Sequence, residues 1–429
     1  MSNSFSKEER VAFEDILEGF NDALVLSRNV SVYNTDSSMM ERTNNVIYRP
    51  QPYIAQSYDG MDQTGNFGAY TQLSVPATLG FQKSVPFILD ALELRDALQE
   101  GRLGESAKQK LASDINIAIM NTAANLGSLV VTVSTAAGDY DDVALCDSIM
   151  NEQGVQAFDR YLALSSRDYN GIAGNIAGGG GSASVSRSFA GNKSNNAFER
   201  SYVGMVAGFE TYKLDYANRI AAATGADPTM STLAAAGNYY VPVATSTAVT
   251  GETANVDNRF QTITVSSTTD LPAGTAIEIE GVEAVHHITK QGTGFSKTFR
   301  VVSVTNATTC VITPPIISAQ GGTDAELQYQ NCIVTAAAGR TVNRLNVDAA
   351  PINCFWQKDA LEILPGRYAV PADAGVAVMR ASTDQGIELV MTKQFDVNTM
   401  KTKYRLDTLF GVVNKQPEMS GILLFNQTP

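Results

Sequence analysis

Residues 106–133, SAKQKLASDINIAIMNTAANLGSLVVTV, read as a long helix running straight into a strand. Leu111, Ile115, Ala118, Ile119, Thr122, Ala123 and Leu126 recur at spacings of three and four, with Asp114, Asn116, Asn121 and Asn125 between them. That periodicity puts one apolar stripe on an α-helix. Ser106, after the breaker Gly101–Gly104, is the expected N-cap, and Gly127 the expected C′ residue. At 1.5 Å per residue such a helix is about 30 Å long, enough to cross a domain. Beyond Gly127 the run Leu129–Val133 is short and β-branched, which suits a buried strand. The helix is a spine, and the rest of the chain divides into what precedes it and what hangs from its far end.

Upstream, Ser6–Leu26 reads as an amphipathic helix: Val11, Phe13, Ile16, Leu17, Phe20 and Leu24 line one side, and Ser6 with Glu9 matches a capping box. A helix of this kind either docks on its own domain or grips a neighbour. Val46–Leu79 reads as a two-stranded excursion with strands Val46–Tyr48 and Tyr70–Val75, its tip punctuated by Pro50, Pro52, Gly60, Gly65 and Gly68. Such a loop buries nothing locally and is expected to be disordered or to lie on another subunit. Val85–Leu98 is expected to be a helix with Pro86 near its first turn.

Downstream, Asp141–Asn151 is a helix and Glu152–Leu162 follows it in an α/β mixture, while the Gly/Ser/Asn-rich Asn170–Asn196 is expected to be a mobile loop. From about Thr224 helical periodicity stops. Short β-branched runs (Tyr239–Ala244, Phe260–Val265, Ala276–Ile279, Phe299–Val304, Cys310–Thr313, Gln330–Val334) alternate with turn chemistry, which predicts a β-barrel inserted over Pro228–Arg344. Phe355 and Trp356 then precede an expected short helix, Lys358–Leu364. Val376–Arg380, Ile387–Lys393, Thr402–Phe410 and Gly421–Phe425 read as strands of a closing sheet. The fold class is α+β. Its expected parts are 1–45 arm, 46–85 extended loop, 86–133 spine region, 134–227 first part of an α/β body, 228–344 inserted barrel and 345–429 second part of the body with closing strands.

The chain has 429 residues, room for more than one core. Only 17% of them are charged, against about 25% in an average protein. Interface cores are depleted in charge, so a surface this poor in charge is expected to be covered in part by other protein; a Ser/Thr/Asn/Gln-covered monomer has the same composition. A net charge of −13 with no basic stripe opposes tight nucleic-acid binding, yet suits a wall facing packed nucleic acid. No apolar run approaches a membrane span, and Ser4–Asp15 is charged where a signal peptide needs its apolar core. Cys146, Cys310, Cys332 and Cys354 show no metal or redox spacing and are expected to be reduced, buried and structural.

Catalytic inventory is thin. The two histidines, His286 and His287, are adjacent within an apolar run. On a strand they would point to opposite faces and could not chelate one ion. A Ser-His-Asp or Cys-His system would have to be built on one of them, with no nucleophile-elbow sequence beside it. Gly178–Gly181 lacks the Gly-Lys-Ser/Thr ending of a phosphate loop, and Gly292-Thr293-Gly294 lacks the third glycine of a dinucleotide loop. No cofactor, metal or enzymatic activity is expected.

The order of parts resembles a major capsid protein of a tailed bacteriophage with the Hong Kong-type fold. More narrowly, it is similar to coat proteins of short-tailed enterobacterial phages that carry an inserted domain. The likeness is carried by Lys110–Val131, Val206-Ala207-Gly208-Phe209-Glu210, Val256-Asp257-Asn258-Arg259-Phe260, Phe299-Arg300-Val301-Val302, Val311-Ile312-Thr313-Pro314 and Asn353-Cys354-Phe355-Trp356. Asn170–Asn196 and Thr245–Thr253 depart from it.

The resemblance implies pentamers and hexamers of an icosahedral head, an internal scaffolding protein, a portal ring at one vertex, and packaged double-stranded DNA held without sequence-specific binding. The setting it implies is the virion capsid, assembled in the host cytoplasm and without a membrane. It places the Val46–Leu79 loop, with Tyr58, Asp59 and Asp62, along a neighbouring subunit, and Asn170–Asn196 near the capsomer axis. Thr245–Asp257 would reach an adjacent capsomer, with Glu252, Asp257, Arg259 and Arg300 as candidates for charge pairing. Each exposed pair is worth about 0.2–1 kcal/mol. The N-terminal helix would meet scaffold through Lys7 and Arg10, and Trp356 is expected to pack in the body. Two other readings share part of the pattern: a bacterial compartment shell of the same fold, and a β-rich adhesin or glycan-binding protein.

Overall fold

The computed structural model describes the chain except residues 1–4, 6, 34–45, 53–56, 58, 65–66, 69, 91–96, 139, 177–195, 198, 231–238, 336–338, 371–374 and 429. Two compact units emerge: Met1–Ile47, Pro76–Ile119 and Leu361–Val413 form the first, and Tyr48–Val75, Met120–Ala360 and Asn414–Pro429 the second.

In the first unit, helix α1 (Lys7–Ala23) buries Phe13, Ile16 and Phe20. It docks on its own chain: Glu9 is buried, accepts from Tyr404 Oη at 2.9 Å and is paired with Lys393 Nζ. The spine helix α2 is longer than its periodicity suggests, Ala97–Leu126, 30 residues and about 45 Å. It runs through Gly101 and Gly104 and is not broken there, contrary to the expectation from glycine's low helix propensity. A mid-helix glycine costs only about 1 kcal/mol, and Gly104 makes room: a Cβ there would stand 2.5 Å from Ile16 Cδ1 of α1.

The sheet of this unit runs Ser31–Val32, Leu361–Pro365, Lys401–Asn414, Glu388–Asp396, Ala377–Ser382, with Phe81–Asp90 also paired to Lys401–Asn414. Two expectations fail here. Val85–Leu98 is no single helix, because Phe81–Asp90 is an antiparallel strand in register from Phe81↔Phe410 to Asp90↔Lys401. Phe81 stacks on Phe410 at 5.2 Å and Phe87 on Tyr404 at 5.3 Å, cross-strand aromatic pairs that outweigh the helix-start signal of Pro86. Lys358–Leu364 is a turn followed by the strand Leu361–Pro365, whose Leu361, Ile363 and Leu364 are all fully buried.

In the second unit a six-stranded sheet runs Leu129–Thr132, Ser420–Leu424, Asn353–Gln357, Arg160–Ser165, Phe209–Leu214, Met205–Val206. Gly127 does end α2, though not by a left-handed turn. A Cβ there would stand 2.7 Å from Ala123 O and 3.1 Å from Gly421 Cα, so two glycines let the helix end and the sheet touch through backbone. Helix α3 (Tyr140–Glu152) packs Val143, Cys146 and Met150 into one core with Leu162, Leu164, Phe209 and Phe355. Helix α4 (Ser166–Ile176) occupies the start of the expected mobile loop Asn170–Asn196, most of which lies outside the described residues. Ser165 and Asp168 cap its first turn by a 2.7 Å hydrogen bond, and Gly171 lets it approach the Ala137 carbonyl.

The inserted segment forms a seven-stranded antiparallel sheet. Its path is Thr229–Met230, Arg340–Arg344, Ala276–Val285, Gly292–Val304, Thr309–Thr313, Gln261–Thr264, with Cys332–Val334 on Ala276–Val285. A bridge between Met230 and Val265 joins the two ends of the path. Ile263, Ile277, Ile279, Phe299, Val301, Ile312 and Val342 fill its interior. Gly281 (φ +77°) stands at the register shift of the longest pairing, where a bulge needs the left-handed region. Tyr239–Ala244 is not a strand; the sheet uses Arg340–Arg344 instead. A short helix α5, Asp324–Tyr329, carries a full capping box between Thr323 and Glu326. All four cysteines are free and buried.

Candidate functional site

Two features of the second unit concern function: a hairpin that projects from the inserted sheet, and the seam by which that sheet is fixed to the body. The hairpin pairs Thr245–Thr247 with Thr253–Asn255 in register Thr245↔Asn255 to Thr247↔Thr253. Its turn is closed by Ala248 N donating to Glu252 O at 2.8 Å, with Gly251 at φ +88°. All six strand residues are exposed, as is Glu252, and Val249 at the turn is completely bare. A two-stranded ribbon without a buried face gains little from folding alone.

Of the four residues expected to pair charges between capsomers, only Glu252 stands free on the hairpin. Asp257 and Arg259 pair with one another, Nη2 to Oδ2 at 2.6 Å and Nε to Oδ1 at 2.9 Å, and Arg259 Nη1 donates to Asn414 O at 2.8 Å. That locks the hairpin base to the body. Arg300 is fully buried and donates to Gly274 O at 2.8 Å; its neighbours Phe299 and Val301 fill the interior of the inserted sheet, so strand alternation turns Arg300 to the opposite face, near Cys354 of the body. Burial lowers its guanidinium to about 10.

Lys7 and Arg10 are exposed on α1. Asp59 and Asp62 are exposed near the tip of the extended loop, whose strands Val46–Pro50 and Ser74–Thr78 pair; Tyr58 lies outside the described residues. Thr64 donates to Asp62 through its hydroxyl (2.6 Å) and amide (3.1 Å), which holds the Asp62 carboxyl below its usual range.

The seam gathers residues remote in sequence. Lys297, on the strand Gly292–Val304, is buried and donates to Glu418 and, at 3.2 Å, to Gln153 Oε1. Thr298 beside it donates to Ser128 O at 2.7 Å and accepts from Val130 N at 3.3 Å. Both histidines sit here, just past the end of the strand Ala276–Val285, where the chain turns. His287 N donates to Gln153 O at 3.2 Å, and His286 packs against Gly154. His287 Nε2 lies 3.3 Å from Glu418 Oε2. Burial drives the His287 imidazole down to about 4, with Lys297 and Lys290 adding to the effect, so it is neutral near pH 7. Burial pushes Glu418 upward, but the adjacent Lys297 outweighs that and keeps it ionised.

The signs fix a pH window. A His held near 4 but free to titrate near 6.5 when unfolded contributes stability that is complete above pH 6.5 and lost as pH falls toward 4. The expected loss over that window is about 3 kcal/mol. His287→Gln should remove that part of the acid dependence, measured by urea titrations at pH 7, 5.5 and 4.

Among the described residues no group of three or more His, Cys, Asp or Glu side chains could hold a metal ion, and no helix is long and apolar enough to cross a membrane. Sequence reasoning missed the seam: Lys297, Gln153 and Glu418 are separated by 144 and 121 positions, and a lone buried lysine has no periodic signature.

Comparisons with known proteins give the arrangement its context. Mycobacterium phage Che8 is similar at 10% identity, with 94% of this chain and 91% of that chain covered and a TM-score of 0.43. The mature capsid of bacteriophage PhiM1 is similar at 10% identity over 94% and 86%, with a TM-score of 0.41. The CUS-3 coat protein I-domain is 33% identical over 29% of this chain and 98% of that chain, with a TM-score of 0.22. The family model described as "P22 coat protein - gene protein 5" matches residues 1–426, and the chain therefore belongs to the P22 coat protein family.

Proposed function

We propose that this coat protein builds the pentamers and hexamers of an icosahedral phage head around double-stranded DNA, with the hairpin Thr245–Asn255 reaching the neighbouring capsomer. The observation that carries the reading is the hairpin itself: a ribbon with every strand residue exposed, a bare Val249 and Glu252 at its turn, anchored by Arg259 to the body. A projecting element with no face of its own to bury is stabilised by a second copy. Weak contacts of about 0.2–1 kcal/mol per pair add up when repeated over a closed shell. Scaffolding protein meets α1 through Lys7 and Arg10, a portal ring occupies one vertex, the DNA faces an acidic wall without sequence-specific contacts, and assembly takes place in the host cytoplasm.

Glu252→Lys tests the hairpin. The monomer should keep its melting temperature, since the side chain is exposed, while shells fail to form or form aberrantly in sedimentation and electron microscopy. Normal shells from this variant would refute the contact. Asp257→Lys is the less clean probe, because Asp257 already holds Arg259 within the chain. For the arm, Lys7→Glu with Arg10→Glu should weaken co-assembly with scaffold and its salt dependence; co-assembly indifferent to both would remove that contact.

A further inference from the structure

Within the second unit, a cavity of about 40 Å³ lies where the 51–73 segment, the inserted sheet and the turn before Ser420–Leu424 come together. Its wall includes Gln51, Gln416, His287, Lys290 and Glu418. Three atoms of these side chains, Gln51 Oε1, Gln416 Oε1 and His287 Nε2, are buried and have no hydrogen-bond partner among the described residues. His287 is only 8% exposed, and its Nε2, 3.3 Å from Glu418 Oε2, is out of line for a hydrogen bond.

The other polar groups are engaged. Lys290 Nζ donates to Gln328 O at 2.9 Å and Gln330 O at 3.0 Å, Arg259 is held by Asp257, and Glu418 accepts from Lys297. The unmet demand is therefore for a donor to two amide oxygens and for a partner to one neutral imidazole nitrogen. A cation would sit among Lys290, Lys297 and Arg259. An anion would face two amide oxygens and the Glu418 carboxylate. A small neutral molecule that both donates and accepts has neither conflict. Water needs about 10–15 Å³ of such space and two to four polar partners, so the cavity has room for about three.

We propose that this cavity is a structural water site, in which bound water donates to Gln51 Oε1 and Gln416 Oε1 and accepts from His287 Nε2–H. The water joins three segments of the chain that their own side chains do not bridge at this point.

The test is a map of the full-length assembled protein at a resolution that shows ordered water, with Gln51→Met and Gln416→Met alongside. The expected result is one or more peaks within about 3.2 Å of at least two of the three atoms, unchanged by EDTA or by exchange of the buffer anion. Each Met variant should lose the nearest peak and melt about 2 °C lower. A wild-type cavity without a peak overturns the proposal, as does a Met variant that melts at or above the wild-type temperature. A peak abolished by EDTA or by anion exchange identifies an ion and overturns it equally.

Discussion

Lys297→Met should destabilise the protein by about 3–5 kcal/mol, the usual result of removing one member of a buried ion pair. The lysine is 1% exposed and Glu418 is 7% exposed, so deleting the ammonium leaves a buried carboxylate without its cationic partner and away from bulk water. Gln153 loses its Nζ contact at the same time. Denaturant unfolding gives the total, and hydrogen exchange of the inserted sheet tells whether the loss is local to the seam. The double variant Lys297→Met/Glu418→Met discriminates further. Buried pairs are commonly replaceable by apolar residues of similar volume at little cost, so the second substitution should recover most of what the first removes. A single variant as stable as wild type would show that the carboxylate is reached by solvent.

Trp356→Ala should cost about 3–5 kcal/mol, the range for emptying a large aromatic site in a core. The residue is fully buried on the strand Asn353–Gln357, which lies inside the six-stranded sheet, and its ring stands 6.2 Å from that of Tyr161 on the neighbouring strand. Phe355, next in the chain, points to the opposite face and meets Phe209 edge-on at 6.1 Å. Two layers thus depend on one strand, and a void on either side loosens both. Because Trp356 is the only tryptophan, circular dichroism must follow the variant, while in wild type its fluorescence reports on this sheet alone. A loss below about 1 kcal/mol would mean that the site collapses around the void.

What the sequence disclosed follows the reach of its signals. The core of α2 and the strand after it were legible because a 3.6-residue period and a β-branched run are local patterns, and the barrel strands around Ile263, Val301 and Ile312 because turn residues frame them. The start of α2 is not legible because glycine's low propensity signals a break, whereas Gly104 lies inside the helix and admits Ile16. The helix expected over Val85–Leu98 overlaps the strand Phe81–Asp90 because Pro86 suits a helix's first turn and is tolerated in an edge strand, and only the remote partner Lys401–Asn414 decides between them. For function, the hairpin with Glu252 was located as a loop from a resemblance. Arg259 and Arg300 turned out to be held inside the chain, a distinction of burial that residue type alone cannot make. The seam of Lys297, Glu418 and His287 was invisible, since its members meet only after folding.

The order of synthesis bears on the six-stranded sheet. Ser420–Leu424 lies between Leu129–Thr132 and Asn353–Gln357, yet it is translated after every other strand of that sheet. A nascent chain therefore carries two bare strand edges and an unanswered Lys297 until the last of the six emerges. The inserted sheet, whose pairings all fall between Thr229 and Arg344, can close well before then. Edges of that kind invite pairing with another chain, so the growing polypeptide is open to strand exchange at this sheet until Ser420–Leu424 is inserted.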